Sequence, residues 1–362
     1  VLAPDGQGPS GPLSGANDGG EVGAGLVDAA RRLADDVLAP AAEATDRAPV
    51  VPRSHLEALA GAGLMGLYCP PAASPAVVRQ VYEVLAGACG VTFFVWVQHH
   101  APVRMLAASA NDGLRDRYLE DLCAGRVLGG VAFAYLRRPG PPAVVATPVP
   151  GGYRIDGEAP WVTSWGLAGV YAVAARMGEH VMFFILEGEP PAVRASPPLA
   201  LAAMGASLTV RLAFDGLFVS QDDVLSVVPF ERWQADDRVA TAKPNPAAFG
   251  IAATCVRMLG DTPLAAELDD CRRRSYALAD AAEPDLDALV EARAHSLELA
   301  VRAATALVVS TGGRAMSADH PAQRLLREAA FFTIQAQTPA LRRATLAQLE
   351  RSSAAASPAA PA

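Results

Sequence analysis

Gly152-Tyr153-Arg154-Ile155-Asp156-Gly157 alternates apolar and polar residues and leads into Trp161-Val162-Thr163-Ser164-Trp165-Gly166. The alternating run, the polar turn and the Trp-Val-Thr that follows predict a hairpin delivering an indole and a hydroxyl to one place. An indole offers a stacking face and excludes water. A threonine hydroxyl or a nearby backbone N–H can hydrogen-bond a heteroatom of a flat, partly polar ligand. Trp161, Thr163 and Ser164 are therefore the first candidate binding residues, although a packed hairpin alone would also account for them.

On either side of this stretch the period of two persists from about Val127 to Val228, in the runs Val127–Ala134, Ala143–Val149, Gly169–Ala175, His180–Leu186 and Ser207–Phe214. Turn residues such as Pro150-Gly151-Gly152 separate these runs and no helix-length segment intervenes, which predicts an antiparallel β domain over 126–230. Before it, Leu26, Val27, Ala30, Leu33, Ala34, Val37 and Leu38 form one helical stripe that is expected to stop at Pro40. Helices after Ser54, after Ser74-Pro75 and over Asp112–Ala124 complete a helical domain over 22–125. After Asp236-Asp237 the helical period returns: Pro244–Leu259, Leu264–Ala279, a long helix from Pro284, then Pro321–Thr333 and Pro339–Arg351 predict a bundle over 240–351. The expected fold class is thus α+β and multidomain. Residues 1–21 and 352–362 carry no periodic apolar pattern and are expected to be a disordered and a frayed tail.

With 51% hydrophobic and 19% charged residues, the 362-residue chain can bury a large core. Its strongest apolar run, Gly90–Val97, is closed by Gln98-His99-His100 and is far shorter than the roughly 20 residues a membrane span needs. A formal net charge of −8 argues against a nucleic-acid surface and favours small-molecule partners. Cys69, Cys89, Cys123, Cys255 and Cys271 stand singly, without Cys-x-x-Cys pairs or histidines at ligand spacing, so no metal site is expected. Their odd number and the lack of a secretory leader point to a cytoplasmic protein whose thiols act as small apolar groups.

The Trp161-Val162-Thr163-Ser164 stretch resembles the Trp-Ile-Thr-Asn segment of the acyl-CoA dehydrogenase family. A second match follows in the right order: Gly312-Gly313, then Pro321-Ala322-Gln323-Arg324-Leu325-Leu326-Arg327-Glu328-Ala329, resembles the family's Gly-Gly and Pro-x-x-Arg-x-x-Arg-Asp-Ala. The likeness runs from about Val22 to Glu350. It implies N-terminal helices, a middle β domain and a C-terminal bundle. It also implies an FAD cofactor held through Trp161, Thr163, Ser164 and Thr338, an acyl-CoA or related thioester as substrate, an electron-transfer partner, and a homodimer or homotetramer formed through the bundle.

The resemblance also shows what this chain lacks. Family members take the proton alpha to the thioester with a glutamate that follows the Arg-Asp-Ala motif, and here Ile334-Gln335-Ala336-Gln337-Thr338 puts Ala336 at that place. A few relatives carry the base at the start of the first long C-terminal helix, where this chain has Ala240, with Asp236 and Asp237 nearby. The family's Thr-Glu-Pro and Gly-Ser-Asp segment is replaced by Ala134-Tyr135-Leu136 and Arg137-Arg138-Pro139-Gly140, and its glutamine before Gly-Gly by Val309. His99 and His100 are candidate replacement bases, against the alternative of a pair that merely ends a helix. Ser164 is a candidate for assisting oxygen chemistry, as in flavin monooxygenases of this fold, which take reduced flavin from a reductase. A non-catalytic acyl-binding protein is the third alternative. Arg137 and Arg138 either meet a phosphate or form a solvated turn, and His320, Arg324, Arg327 and Glu328 read as helix-start and ion-pair structure.

Overall fold

The computed structural model describes residues 18–354. The backbone forms two compact units, residues up to 81 with 91–237, and residues 82–90 with 238 onward.

In the first unit, helix α1 (Asp18–Leu33) does not stop at Pro40 as expected. It runs through a π-type turn, Ala34–Leu38, into α2 (Ala39–Arg47). The Ala39 N–H donates to the Ala34 carbonyl five residues back, and the widened turn takes in a proline that has no N–H and would clash with a regular preceding turn. Asp18–Glu21, expected to be disordered, belongs to α1, while residues 1–17 of the expected tail lie outside the described residues. Helix α3 (Arg53–Gly61) follows, then α4 (Pro75–Ala88), whose residues 82–88 are counted with the second unit, and where the Ser74 hydroxyl accepts from the Val77 N–H at 3.4 Å. Helix α5 (Gly90–Ala107) extends the apolar run well past its expected end at Gln98, through Pro102. In α6 (Asp112–Cys123) the Asn111 side chain caps the first turn by accepting from Leu114 N–H.

One expectation about the cysteines is corrected here: Cys69 and Cys123 form a disulfide, with Cα atoms 5.9 Å apart across 54 residues of sequence. Cys89, Cys255 and Cys271 are the buried free thiols. Spacing along the chain does not report which distant segments meet, and here the turn before α4 meets the end of α6.

The sheet contains β1 (Gly129–Ala132), β2 (Val144–Val149), β3 (Gly152–Val162), β4 (Val170–Met177), β5 (His180–Glu187), β6 (Val193–Ala195), β7 (Val210–Ser220) and β8 (Val224–Pro229). Its order is β6-β7-β3-β2-β4-β5-β8, with β1 beside β4. Pairing is antiparallel except that β4 runs parallel to β1 and β2. Strands β4 and β5 each carry a continuous apolar run, Val170–Ala175 and Val181–Leu186, buried on both faces.

The hairpin expected between Tyr153 and Trp161 does not exist. Both residues lie on β3, which pairs along β7 from Gly152↔Ser220 to Val162↔Val210. The apparent turn is a register irregularity at Gly157, whose φ is +123° and where a Cβ would collide with the Ala143 carbonyl. β7 also starts later than expected, because Gly205–Ser207 is a short 3₁₀ turn.

Helix α7 (Phe230–Ala242) begins before the expected return of helical period at Asp236. The second unit then contains α8 (Pro246–Leu259), α9 (Leu264–Ala279), α10 (Leu286–Thr311), α11 (Pro321–Ile334) and α12 (Pro339–Ala354). Helix α10 is the bundle's centre and packs against the other four. His320 is helix-start structure, as read: its Nδ1 accepts from Ala322 N–H at 3.2 Å. Arg324 and Glu328 form a buried ion pair at 2.9 Å, and Glu328 also accepts from Gly90 N–H at 3.1 Å. α12 carries helix into residues 352–354 of the expected frayed tail, and 355–362 lie outside the described residues. No helix among the described residues is long and apolar enough to cross a membrane.

Candidate functional site

β3 delivers Trp161 outward and Val162 inward, as a period of two requires. The Trp161 side chain is 48% exposed although large and apolar, while Thr163 and Ser164 are buried. At Ser164 the chain enters the left-handed region (φ +68°). Its carbonyl accepts from Leu167 N–H and Ala168 N–H, both at 2.9 Å, and from the Tyr171 hydroxyl at 2.6 Å. Its N–H donates to the Ser207 carbonyl at 2.9 Å, and Trp165 N–H to the Leu208 carbonyl at 3.2 Å. Met204 (φ +61°) and Leu208 (φ +48°) on that facing segment are left-handed as well. Left-handed residues other than glycine cost of order ~1–3 kcal/mol each and gather where function over-determines the backbone.

The side-chain oxygens are arranged in sequence. Thr163 Oγ1 lies 3.1 Å from Thr209 Oγ1, which lies 2.8 Å from Ser207 Oγ. Ser164 Oγ is buried and makes no hydrogen bond among the described residues, so it does not present itself to solvent as a reacting group. An exposed indole two residues before a buried hydroxyl in sequence, on a stretch where Ser164 and the facing Met204 and Leu208 are left-handed, suits a planar ring that takes a stacking face and a hydrogen bond. These residues therefore suit a flavin. Thr338 belongs to the second unit, where its hydroxyl accepts from Leu341 N–H at 3.3 Å and so serves the start of α12.

His99 and His100 do not end a helix. They lie inside α5, 0% and 1% exposed. His99 Nδ1 accepts from Gly129 N–H at 3.0 Å, which places the ring proton on Nε2. That contact needs a glycine at the start of β1, since a side chain there would run into Pro102. Burial pushes the His99 pKa down to about 4, opposed only in part by the nearby Met65 and Leu122 backbone. His100 packs its ring against Trp96, centroids 4.5 Å apart, and Tyr68 at 5.2 Å, with Arg104 over the Tyr68 ring. Burial, then the neighbouring His99 and Arg104, hold its pKa well below the usual imidazole value. Both rings are neutral and enclosed at pH 7.

The arginine turn is also resolved. Arg137 forms two hydrogen bonds to the Asp237 carboxylate, at 2.7 and 2.9 Å, and both side chains are largely buried. The guanidinium that the sequence offered to a phosphate is thus engaged within its own unit. In the second unit Ala336 is left-handed (φ +53°). The loop beside it is held by the buried Arg293, which donates to the carbonyls of Thr241 at 3.0 Å, Lys243 at 3.1 Å and Gln335 at 3.3 Å. Arg293 thus ties together the two segments where the resemblance places alternative bases, Ala240 and Ala336. Sequence reasoning missed Arg293, Ser207 and Thr209, and only the density of hydroxyls in Ser207-Leu208-Thr209 hinted at the last two.

Comparison with known proteins agrees with the fold. Residues 24–126 match the model of the acyl-CoA dehydrogenase N-terminal domain. The chain is thus similar to the acyl-CoA dehydrogenase family over this N-terminal region and shares that fold. Benzylmalonyl-CoA dehydrogenase of Aromatoleum aromaticum is 26% identical over 212 residues, covering 56% of this chain and 56% of that protein. The chain thus spans little more than half the length of that relative. Butyryl-CoA dehydrogenase from Megasphaera elsdenii shares the fold with a TM-score of 0.76 at 18% identity, over 91% of this chain and 98% of that one. Dibenzothiophene monooxygenase from Paenibacillus sp. A11-2 shares it with a TM-score of 0.73 at 16% identity, over 90% and 97%. So does the FAD complex of PigA, with a TM-score of 0.76 at 18% identity, over 94% and 99%.

Proposed function

We propose that this chain is an FAD flavoprotein oxidoreductase acting on the CH–CH group of an acyl thioester. The observation that carries the reading is the exposed Trp161 indole near the end of β3, two residues before the buried Thr163 hydroxyl. Bound flavin supplies the hydride acceptor. Trp161 would cover part of the ring and keep water from it, and Thr163 would donate a hydrogen bond to its edge. The substrate would be an acyl-CoA or related thioester, and the partner a separate electron-transfer protein.

Proton removal sets this chain apart. Ala336 and Ala240 carry no base, and His99 and His100 are enclosed, with pKa values lowered by burial. A positioned base contributes about 10²–10⁴-fold, so α,β-dehydrogenation is slower here by that order than in a chain with a carboxylate at the site. The same observation supports a second reading, a flavin-dependent monooxygenase supplied with reduced flavin by a reductase, since oxygen chemistry on flavin does not start with an α-proton. Exposed Val309, Met316, Ile334, Leu346 and Leu349 on the bundle support self-association into a dimer or tetramer.

The test is the visible spectrum of the purified protein loaded with FAD, followed by anaerobic titration with acyl-CoAs of different chain length and branching. Bleaching by one thioester establishes the dehydrogenase. Flavin that stays oxidised throughout, with oxygen uptake once reduced flavin is supplied, establishes the monooxygenase. Failure to retain flavin, together with thermal stabilisation by an acyl-CoA, establishes a non-catalytic acyl-binding protein.

A further inference from the structure

Ser207 Oγ, Thr209 Oγ1 and Thr163 Oγ1 form a row of buried hydroxyls with spacings of 2.8 and 3.1 Å. These side-chain oxygens make no other hydrogen bond among the described residues. Each hydroxyl has one proton and two lone pairs; if both neighbours donated to Thr209, its own proton would be left in the interior without an acceptor, so the row runs in one of two directions. If Thr163 donates to Thr209 and Thr209 to Ser207, the Ser207 proton is left in the protein interior without an acceptor, an arrangement that buried polar groups avoid. If Ser207 donates to Thr209 and Thr209 to Thr163, the one proton left over is that of Thr163. It then sits at the end of the row, on the residue two positions after the exposed Trp161.

We propose that Thr209 and Ser207 are positioning residues that fix the Thr163 hydroxyl as a hydrogen-bond donor toward the bound ring. This inference rests on the flavin reading and adds a preference to it. The ring-edge nitrogen of oxidised flavin is an acceptor and matches a fixed donor, whereas after reduction that nitrogen carries hydrogen and faces the same donor unfavourably. A row that points its last proton outward therefore stabilises the oxidised cofactor and lowers the reduction potential. An incoming bond from Thr209 also polarises the Thr163 hydroxyl and makes it a better donor.

The experiment compares the flavin midpoint potential and the Kd for oxidised FAD in wild type, Thr209→Val, Thr209→Ala, Thr209→Ser and Thr163→Val. Removing the Thr209 hydroxyl is expected to reduce the preference for oxidised over reduced flavin about tenfold, a rise of roughly 30 mV for a two-electron couple. Thr163→Val is expected to raise the potential by at least as much. Thr209→Ser keeps the hydroxyl and the wild-type potential. Val and Ala remove the same group with different volumes, so a packing effect would separate them whereas a hydrogen-bond effect moves both together. Unchanged potentials in flavin-loaded Thr209→Val and Thr209→Ala overturn the inference while leaving the flavin reading intact. Failure of wild type to bind FAD at all refutes the flavin reading, and the inference with it.

Discussion

His99 gives the sharpest test of how the first unit is packed. Its pKa falls from the ordinary 6.5 to about 4 because the ring is buried. The unfolded chain therefore takes up a proton at a pH where the folded chain refuses it. The stabilising contribution is fully present above pH 6.5 and is lost as pH falls from there to about 4, and the whole difference is worth about 3 kcal/mol. Most of the loss, about 2 kcal/mol, falls between pH 7 and pH 5. His99→Asn isolates this share, since its amide oxygen can still accept the Gly129 N–H but does not titrate. Urea unfolding of wild type and variant at pH 7 and pH 5 gives the measurement. The variant is expected to lose about 2 kcal/mol less than wild type on acidification, while carboxylates and His100, whose pKa is lowered by the same cause, contribute to both proteins. Equal losses in the two proteins would show that His99 is reached by solvent, and would reopen it as a base.

Three further outcomes are expected. Thiol reduction, or Cys69→Ser with Cys123→Ser, opens a crosslink across 54 residues and should lower stability by about 4 kcal/mol on the chain-entropy estimate; an unfolding curve unchanged by reductant would refute the bond. Arg293→Met removes a cation from three carbonyls and should cost about 3 kcal/mol, with hydrogen exchange at residues 335–338 accelerating more than in α9. Ala336→Gly releases a left-handed alanine and should raise stability by up to about 1 kcal/mol, a gain that calorimetry would find absent if position 336 were strained by something other than its Cβ.

The sequence by itself determined the class of the fold. Period two between Val127 and Val228 and period 3.6 on either side are local consequences of which faces must be buried, so they can be read residue by residue. The same holds for His320 at its helix start and for the Arg324–Glu328 pair, four residues apart on one helix. Trp161 and Thr163 could be singled out because neighbouring strand residues alternate in direction, although Gly157 imitated a turn within what is one strand. What only the tertiary structure decided involves residues far apart in sequence. Cys69 meets Cys123, Arg137 meets Asp237, Arg293 gathers carbonyls from two segments, and Thr163 joins Thr209 and Ser207. Burial of His99 and His100 is of the same kind. A histidine's proton affinity depends on how much water the rest of the fold removes from around it, and the local pattern of α5 carries no record of that.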